Sequence, residues 1–540
     1  MKKQSKNIIV GIIALLFSAC QLVAESYDKT NSWSMIVGSN SRIIISSIKF
    51  IIISIFTIVC VKLIYYIFSR FKNKKEQANK IENIIFDKYP KLLTTIILIV
   101  FWIPNYIFYF PGVLTYDAIR QYKEFFSQAL TNHHPVLTTI IEAEFVKLGM
   151  MMGNQQIGIA LYLILVLVVT TFILSIGFSW MKKRKVYYIV RWMMLVFFCI
   201  LPIWSAYART VVKDSLFYPV FFLYTIFFFD FILEYENKIE TKTWIKYIAC
   251  SLCLPLVRHN GWYVVIGTLL IILFWCKKIR KKIFIIFLFF LFLFKGYNGI
   301  LLPRLNVAAG GKQEMLSIPF QQTARYVKYY RNEVTAQEKK SIDKVLDYNQ
   351  IGKVYNPNLS DPVKGTYKKN DEYLKDYFGV WLKQFKKHPE IYIQATLNGT
   401  YGYYGYKRDI KHPNGYYEQP TYNDLYNKYY KITWNKSTEK IRQAHYKVVT
   451  IVFEKLPFKI FQQPMLYTWM YISMLISVLL SEKIRKYWII FIPIIVLYAI
   501  CFASPVNGDI RYMLPIMSTG LLYLGFIFRD KVKEGEVNDE

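Results

Sequence analysis

The chain has 540 residues, 54% of them hydrophobic, and a mean hydropathy of +0.24. Apolar runs that repeatedly approach the length of a bilayer crossing place it among polytopic helical membrane proteins. Their continuity, without alternation, argues against a transmembrane β-barrel. The formal charge of +32 would suggest nucleic acid in a soluble protein, but the basic residues sit in short loops between apolar runs, so topology accounts for them without a nucleic-acid partner.

Twelve apolar cores follow one another: 8–24, 43–69, 92–110, 157–180, 187–204, 215–233, 244–258, 261–276, 283–302, 464–481, 488–503 and 512–528. The seventh and eighth are short enough to form a re-entrant pair. Counting from a cytoplasmic N-terminus puts every basic cluster inside: Lys2-Lys3, Arg70 to Lys75, Lys182 to Lys185, Lys277 to Lys282, Lys483 to Lys486 and Arg529 to Lys533. The same count puts Asp117, Arg209 to Asp214, Arg258 to Gly261, residues 303–463 and Asn507 to Arg511 outside. The first core resembles a signal peptide ending at Ser18-Ala19-Cys20, but Gln21-Leu22-Val23-Ala24 continues its apolar character, and an uncleaved helix is expected. Residues 134–152 are predicted as an amphipathic helix in the outer interface, because Glu142, Glu144 and Lys147 are costly inside a bilayer.

Four regions result. Residues 1–91 are a two-helix extension with a cytoplasmic loop. Residues 92–302 are a transmembrane core whose first outer loop is 111–156. Residues 303–463 are an extracytoplasmic domain, mostly helical or mixed, and 464–540 are the C-terminal helices and cytoplasmic tail. The seven cysteines lie in or beside apolar spans and imply no disulfide framework; Cys250-x-x-Cys253 reads as packing rather than metal binding. The abundance of Ile, Lys, Asn, Tyr and Phe suggests an AT-rich, bacterial genome.

The polar residues of the outer loops carry the chemistry. Asp117 follows Phe110-Pro111-Gly112, which ends a helix at the outer interface; it is either a solvated acid or a carboxylate that takes a proton or helps hold a divalent cation. His133 and His134 follow in the same loop, as a polar helix start ahead of Pro135 or as groups that orient phosphate, bind metal or move protons. No HExxH spacing supports zinc. Arg209 and Lys213 run against the positive-inside bias, which headgroup contact or a bound phosphate explains. Asp214 either neutralises Lys213 or is a second carboxylate of the site. Arg258, His259 and Asn260 meet between two apolar runs and need water or a polar partner such as phosphate. Asp509 and Arg511 form a last outer cluster, readable as a simple loop ion pair. The tyrosines of 400–430, including Tyr416, Tyr417, Tyr422, Tyr426, Tyr429 and Tyr430, fit an interfacial aromatic belt better than a sugar-contacting surface.

Taken in order, the helix end with Pro111-Gly112 and Asp117, the following His133-His134-Pro135, Asp214 after Arg209 and Lys213, Arg258-His259-Asn260-Gly261, and Pro505-Val506-Asn507 with Arg511-Tyr512 resemble the GT-C glycosyltransferase superfamily, in particular its uncharacterised bacterial members. The resemblance runs from about residue 92 to 528. It implies an all-α polytopic membrane protein with a GT-C-like core. It also implies sugar transfer, with inversion, from a polyprenyl-phosphate donor to a cell-envelope glycan, lipid or protein acceptor on the outer face of a bacterial cytoplasmic membrane. Asp117 takes the position of the essential carboxylate and Asp214 that of the second acid. A divalent cation, Mg2+ or Mn2+, is a candidate cofactor with Asp117 and Asp214 as its ligands. Lys213-Asp214-Ser215 offers one acid where the superfamily often has two, which weakens the case for a metal. Arg209, Lys213, Arg258, His259, Asn260 and Arg511 are the expected lipid-phosphate ligands. The rival readings are a flippase for a lipid-linked saccharide, a glycan polymerase or ligase using a diphosphate-linked donor, and a non-catalytic membrane scaffold.

Overall fold

Long apolar segments become helices because only a helix satisfies their backbone N–H and C=O groups from within. The computed structural model describes residues 3–72, 78–408, 436–453, 455 and 457–529. Tyr416, Tyr417, Tyr422, Tyr426, Tyr429 and Tyr430 lie outside the described residues, as do Lys2, residues 73–75 and residues 530–533 of the basic clusters.

The first pair, α1 (Lys3–Thr30) and α2 (Asn40–Lys72), packs together. Ile51, Ile52, Ile55 and Phe56 of α2 are all exposed, an apolar stripe whose natural surroundings are lipid. Helix α1, expected as an intact first span, is held from two sides. Ser54 Oγ donates to Ser18 Oγ at 2.9 Å, and Gln21 joins the backbone of Tyr404 and Tyr406 at 3.2 and 3.0 Å.

The core follows with α3 (Pro90–Phe108), strand β1 (Val113–Leu114), α4 (Tyr116–Phe126), α5 (Val136–Met151), α6 (Gln155–Lys183), α7 (Tyr188–Ile200), α8 (Pro202–Ala208), strand β2 (Thr210–Val211), α9 (Asp214–Glu234), α10 (Thr241–Val257), α11 (Asn260–Trp275) and α12 (Arg280–Gly296). The predicted span 187–204 is two helices bent by 58°. Pro202 opens the second, and Leu201 before it is extended, with ψ 118°, as a residue preceding proline prefers. In α5 the structure refines the interfacial reading: Glu144 and Lys147 are exposed, but Glu142 is buried inside the protein.

The segment 303–463 contributes α13 (Ser317–Tyr329), α14 (Ala336–Val345), α15 (Leu374–Lys387), α16 (Pro389–Thr400) and α17 (Glu439–Phe453). Its described residues are helical and have a core of their own around Phe320, Ile342, Ile351 and Tyr377. It meets the end of α1, where Asn398 Nδ2 and Arg325 Nη2 donate to Asn31 O at 3.1 and 3.0 Å. The chain closes with α18 (Pro464–Leu480), α19 (Ile492–Phe502) and α20 (Ile510–Ile527).

Each of the twelve predicted spans holds a helix. Among the described residues, eight helices are long and apolar enough to cross a membrane, nine if the bent pair α7–α8 is one span; α11 and α18 are shorter apolar helices. The chain is a membrane protein of the all-helical kind. Four of the basic clusters lie at loops tied together at one end of the bundle: Lys182 donates to Asp87 O, Lys278 Nζ donates to Glu236 O at 3.2 Å, Lys486 pairs with Glu236, and Val186 bridges to Arg529.

Candidate active site

Two short strands build the opposite end. Val113 and Leu114 pair in parallel with Thr210 and Val211. Each strand runs directly into a helix, and each helix carries an aspartate in its first turn, Asp117 in α4 and Asp214 in α9. Both aspartates lie three positions past the last ladder residue, so the pairing sets one beside the other. Thr115 fixes the first turn twice. Its Oγ1 donates to Val211 O at 3.0 Å and caps α4 by accepting from Ala118 N at 3.3 Å.

The approach of the strands demands Gly112. Its φ is +129°, and a Cβ there would run into Leu163 Cδ1 and lie 3.1 Å from Arg209 O. Gly112→Ala is therefore expected to destabilise the protein by about 1–3 kcal/mol, measured as a lowered melting temperature in detergent; an unchanged melting point would show that this turn does not fix the site.

Arg511, in the first turn of α20, ties the two acids together. Its Nη2 lies 2.5 Å from Asp117 Oδ2 and its Nε 2.5 Å from Asp214 Oδ2. Arg258 takes the other oxygen of Asp214, and Lys213 Nζ stands 3.4 Å from Asp117. Asp509 is not the loop partner of Arg511 that the sequence allowed; it caps α20, accepting from the backbone N of Arg511 at 2.9 Å, which leaves the guanidinium to the two acids. Three cations, Lys213, Arg258 and Arg511, thus meet the two carboxylates. Asp214 is 1% exposed, whereas Asp117 retains 25% of its side-chain surface. Phe217 and Tyr512 flank the Arg258 guanidinium, with centroids 5.5 and 5.0 Å away.

The electrostatics follow from this crowding. Burial pushes the Asp117 carboxyl up, but Lys213 and Arg511 outweigh burial and hold it well below the usual carboxylate range. Burial, with Arg511 and Arg258, brings the Lys213 ammonium down to about 8 against the pull of Asp117. Lys213 Nζ donates to His134 Nδ1 at 2.8 Å, which places the imidazole proton on Nε2. Burial and the nearby Lys213 keep His134 neutral. Burial also lowers His133, whose ring lies edge-on to His134 at 4.6 Å, and takes His259 down to about 4. The three imidazoles around Lys213 are neutral at pH 7.

The structure thus brings together Asp117, Asp214, Lys213, Arg258 and Arg511, with His133, His134 and His259 beside them. Asn260 is half-buried at the first position of α11. Arg209, expected as a lipid-phosphate ligand, is placed apart from the two acids. It is fully buried, with its guanidinium 3.5 Å above the Tyr109 ring, and Tyr109 Oη is 3.4 Å from His445 Nδ1 in α17. Arg209 ends α8 ahead of the ladder and Lys213 opens α9 beyond it, so the two serve different neighbours. Sequence reasoning overlooked Thr115, though a threonine three residues ahead of Ala118 is a capping signal, and the aromatic flanks of Arg258.

A divalent metal fits these side chains poorly. Arg511 occupies the space between Asp117 and Asp214 where a shared cation would sit, and the three cations on these acids repel one. Among the described residues no three His, Cys, Asp or Glu side chains are grouped to hold a metal ion.

Comparison with known families adds one match. A model of a family of unknown function, DUF6020, covers residues 127–539. The chain belongs to the DUF6020 family. Within the DUF6020 match fall His133, His134, Lys213, Asp214, Arg258, His259 and Arg511, while Asp117 precedes it. No curated protein and no solved structure matches the chain.

Proposed function

We propose that this DUF6020 protein is an inverting membrane glycosyltransferase that takes sugar from a polyprenyl-phosphate donor on the outer face of a bacterial cytoplasmic membrane, with about twelve spans and a GT-C-like core. The observation that carries the reading is the pair of acids bridged by Arg511 and flanked by Lys213 and Arg258, three cations gathered at one point. A phosphodiester brings a negative charge that such a group of cations can hold.

As the acceptor oxygen bonds to the anomeric carbon, the bond from that carbon to the phosphate oxygen breaks. Its electron pair leaves with the phosphate, whose charge grows from one to two. Lys213, Arg258 and Arg511 are placed to stabilise that growth. The proton of the acceptor hydroxyl passes to Asp117. Clamped by two cations, Asp117 is a weak base. An arriving phosphate competes for Arg511 and Lys213, loosens their hold and raises the basicity of Asp117 when it is needed. The groups sit at helix starts on one end of the bundle, which favours bond chemistry over transport, where ionisable groups gather near the midplane.

The test is a proteoliposome assay with a polyprenyl-phosphate sugar and membrane-extracted acceptors. Free polyprenyl phosphate should accumulate as sugar is transferred; passage of intact donor between leaflets without its release would make the protein a flippase. The pH profile gives a further check. Lys213 is charged below about 8 and neutral above it, so transfer should fall as pH rises through that value. Lys213→Arg keeps its charge and should carry activity to higher pH. An identical alkaline limb in both proteins would remove Lys213 from the mechanism.

A further inference from the structure

Arg511 stands at the second position of α20. The first turn of a helix has no earlier turn to fix it, so whatever precedes α20 sets where that guanidinium points. What precedes it is a strap, residues 504–508, between α19 and α20. The strap is bound at four successive residues to the segment 303–463. Ser504 Oγ and Tyr403 Oη lie 2.9 Å apart, Pro505 O accepts from Ser360 N at 2.8 Å, Val506 O accepts from Tyr403 Oη at 3.0 Å, and Asn507 N donates to Asn358 O at 3.0 Å.

Asn507, 1% exposed, is the knot of this strap. Its carboxamide oxygen accepts from Gly402 N and its amide nitrogen donates to Asn358 Oδ1, both at 2.8 Å, while its backbone oxygen takes the Lys407 ammonium. An amide side chain accepts at one atom and donates from the other, so one residue joins two separate stretches of the segment. Two glycines permit the approach. Gly508 has a φ of +62°, and a Cβ on Gly402 would come within 2.9 Å of Gly508 Cα and 3.0 Å of Asn507 Oδ1. Two residues after Asn507, Asp509 caps α20 through the backbone N of Arg511, at 2.9 Å. We infer that Asn507 is the positioning residue through which the segment 303–463 holds Arg511 against Asp117 and Asp214. Its effect on transfer rests on the transferase reading above; its hold on Arg511 does not.

Lys213 reports on that hold. It faces Asp117 of α4, His134 ahead of α5, Arg258 and His259 at the turn from α10 to α11, and Arg511. Burial, with Arg511 and Arg258, brings its ammonium down to about 8 against the pull of Asp117. When Arg511 moves off, Lys213 loses a like-charged neighbour and keeps its proton to higher pH.

The experiment compares the parent, Asn507→Leu and Asn358→Ala as purified full-length proteins in detergent. Leucine keeps the shape of asparagine and loses both side-chain bonds. Acetic anhydride is applied across neutral to alkaline pH, and acetylation of Lys213 is read by peptide mass spectrometry. The midpoint should rise in Asn507→Leu by about half a pH unit or more, and by less in Asn358→Ala, where the Gly402 bond remains. The plateau rate, which follows the exposure of the amine, should stay level; a plateau that rises as well marks a site merely unfolded and overturns the inference. In proteoliposomes the kcat of Asn507→Leu should fall about 10–100-fold, with its alkaline limb moved up by as much as the midpoint. A merely structural Asn507 lowers activity equally at every pH and leaves the midpoint at the parent's value, which overturns the inference too. Asn358→Ala decides the matter if Asn507→Leu does not fold. The labelling needs neither donor nor turnover, so its outcome is separate from that of the transfer assay.

Discussion

An Asp117→Asn protein is expected to fold and to bind the polyprenyl-phosphate donor, but to transfer sugar about 10²–10⁴-fold more slowly than the parent, the usual contribution of a positioned general base. Asparagine preserves shape and suits the first turn of α4. What disappears is the acceptor for the hydroxyl proton and the countercharge facing Arg511 and Lys213. With that countercharge gone, the two cations are freer to hold phosphate, so KM for the donor should stay level or fall while kcat drops. A steady-state analysis in proteoliposomes separates the two quantities. Full kcat in the variant would sink the catalytic assignment of Asp117 and leave it a structural member of the ion cluster.

Asp214→Asn is expected to act on stability more than Asp117→Asn does. Asp214 is almost completely buried between Arg258 and Arg511. Removing one member of such a buried set strands charge in a medium that cannot solvate it, at a cost of about 3–5 kcal/mol. Thermal unfolding in detergent should show a large fall for Asp214→Asn and a smaller one for Asp117→Asn, whose side chain is partly open to solvent. Adding Arg258→Met to Asp214→Asn should recover part of the loss, because it removes the stranded guanidinium. If the double variant's loss relative to the parent equals the sum of the two single losses, the two residues are not energetically coupled and the close pairing does not describe the folded protein.

Much of this was legible in the sequence, for a definable reason. Charges among apolar runs are expensive, so each one that persists at a helix end points to a partner. That logic found Asp117, Lys213, Asp214, Arg258 and Arg511 from four separate stretches of chain. It did not reveal who pairs with whom. Asp509 and Arg511 look like partners because they are two residues apart, but the short side chain of Asp509 meets the backbone first and caps the helix. Arg209 and Lys213 carry the same sign within five residues, yet the β2 ladder turns them to different neighbours, a tertiary pairing of two residues per strand that is too short to leave a sequence pattern. The bend at Leu201 was hidden inside a run of uniform apolarity, although Pro202 marked its place. The neutral state of His134 depends on burial and then on a lysine far along the chain, and no local motif encodes either.

The parallel ladder of Val113–Leu114 with Thr210–Val211 acts as a ruler. On both sides the count from its last rung to the acid is the same, and each acid stands in the first turn of its helix. Loss or gain of a single residue in one loop alone would break that match and draw one acid away from the shared guanidinium. Length in these two loops is consequently under tighter constraint than residue type, and lineages of this protein should tolerate substitutions there far more readily than insertions or deletions.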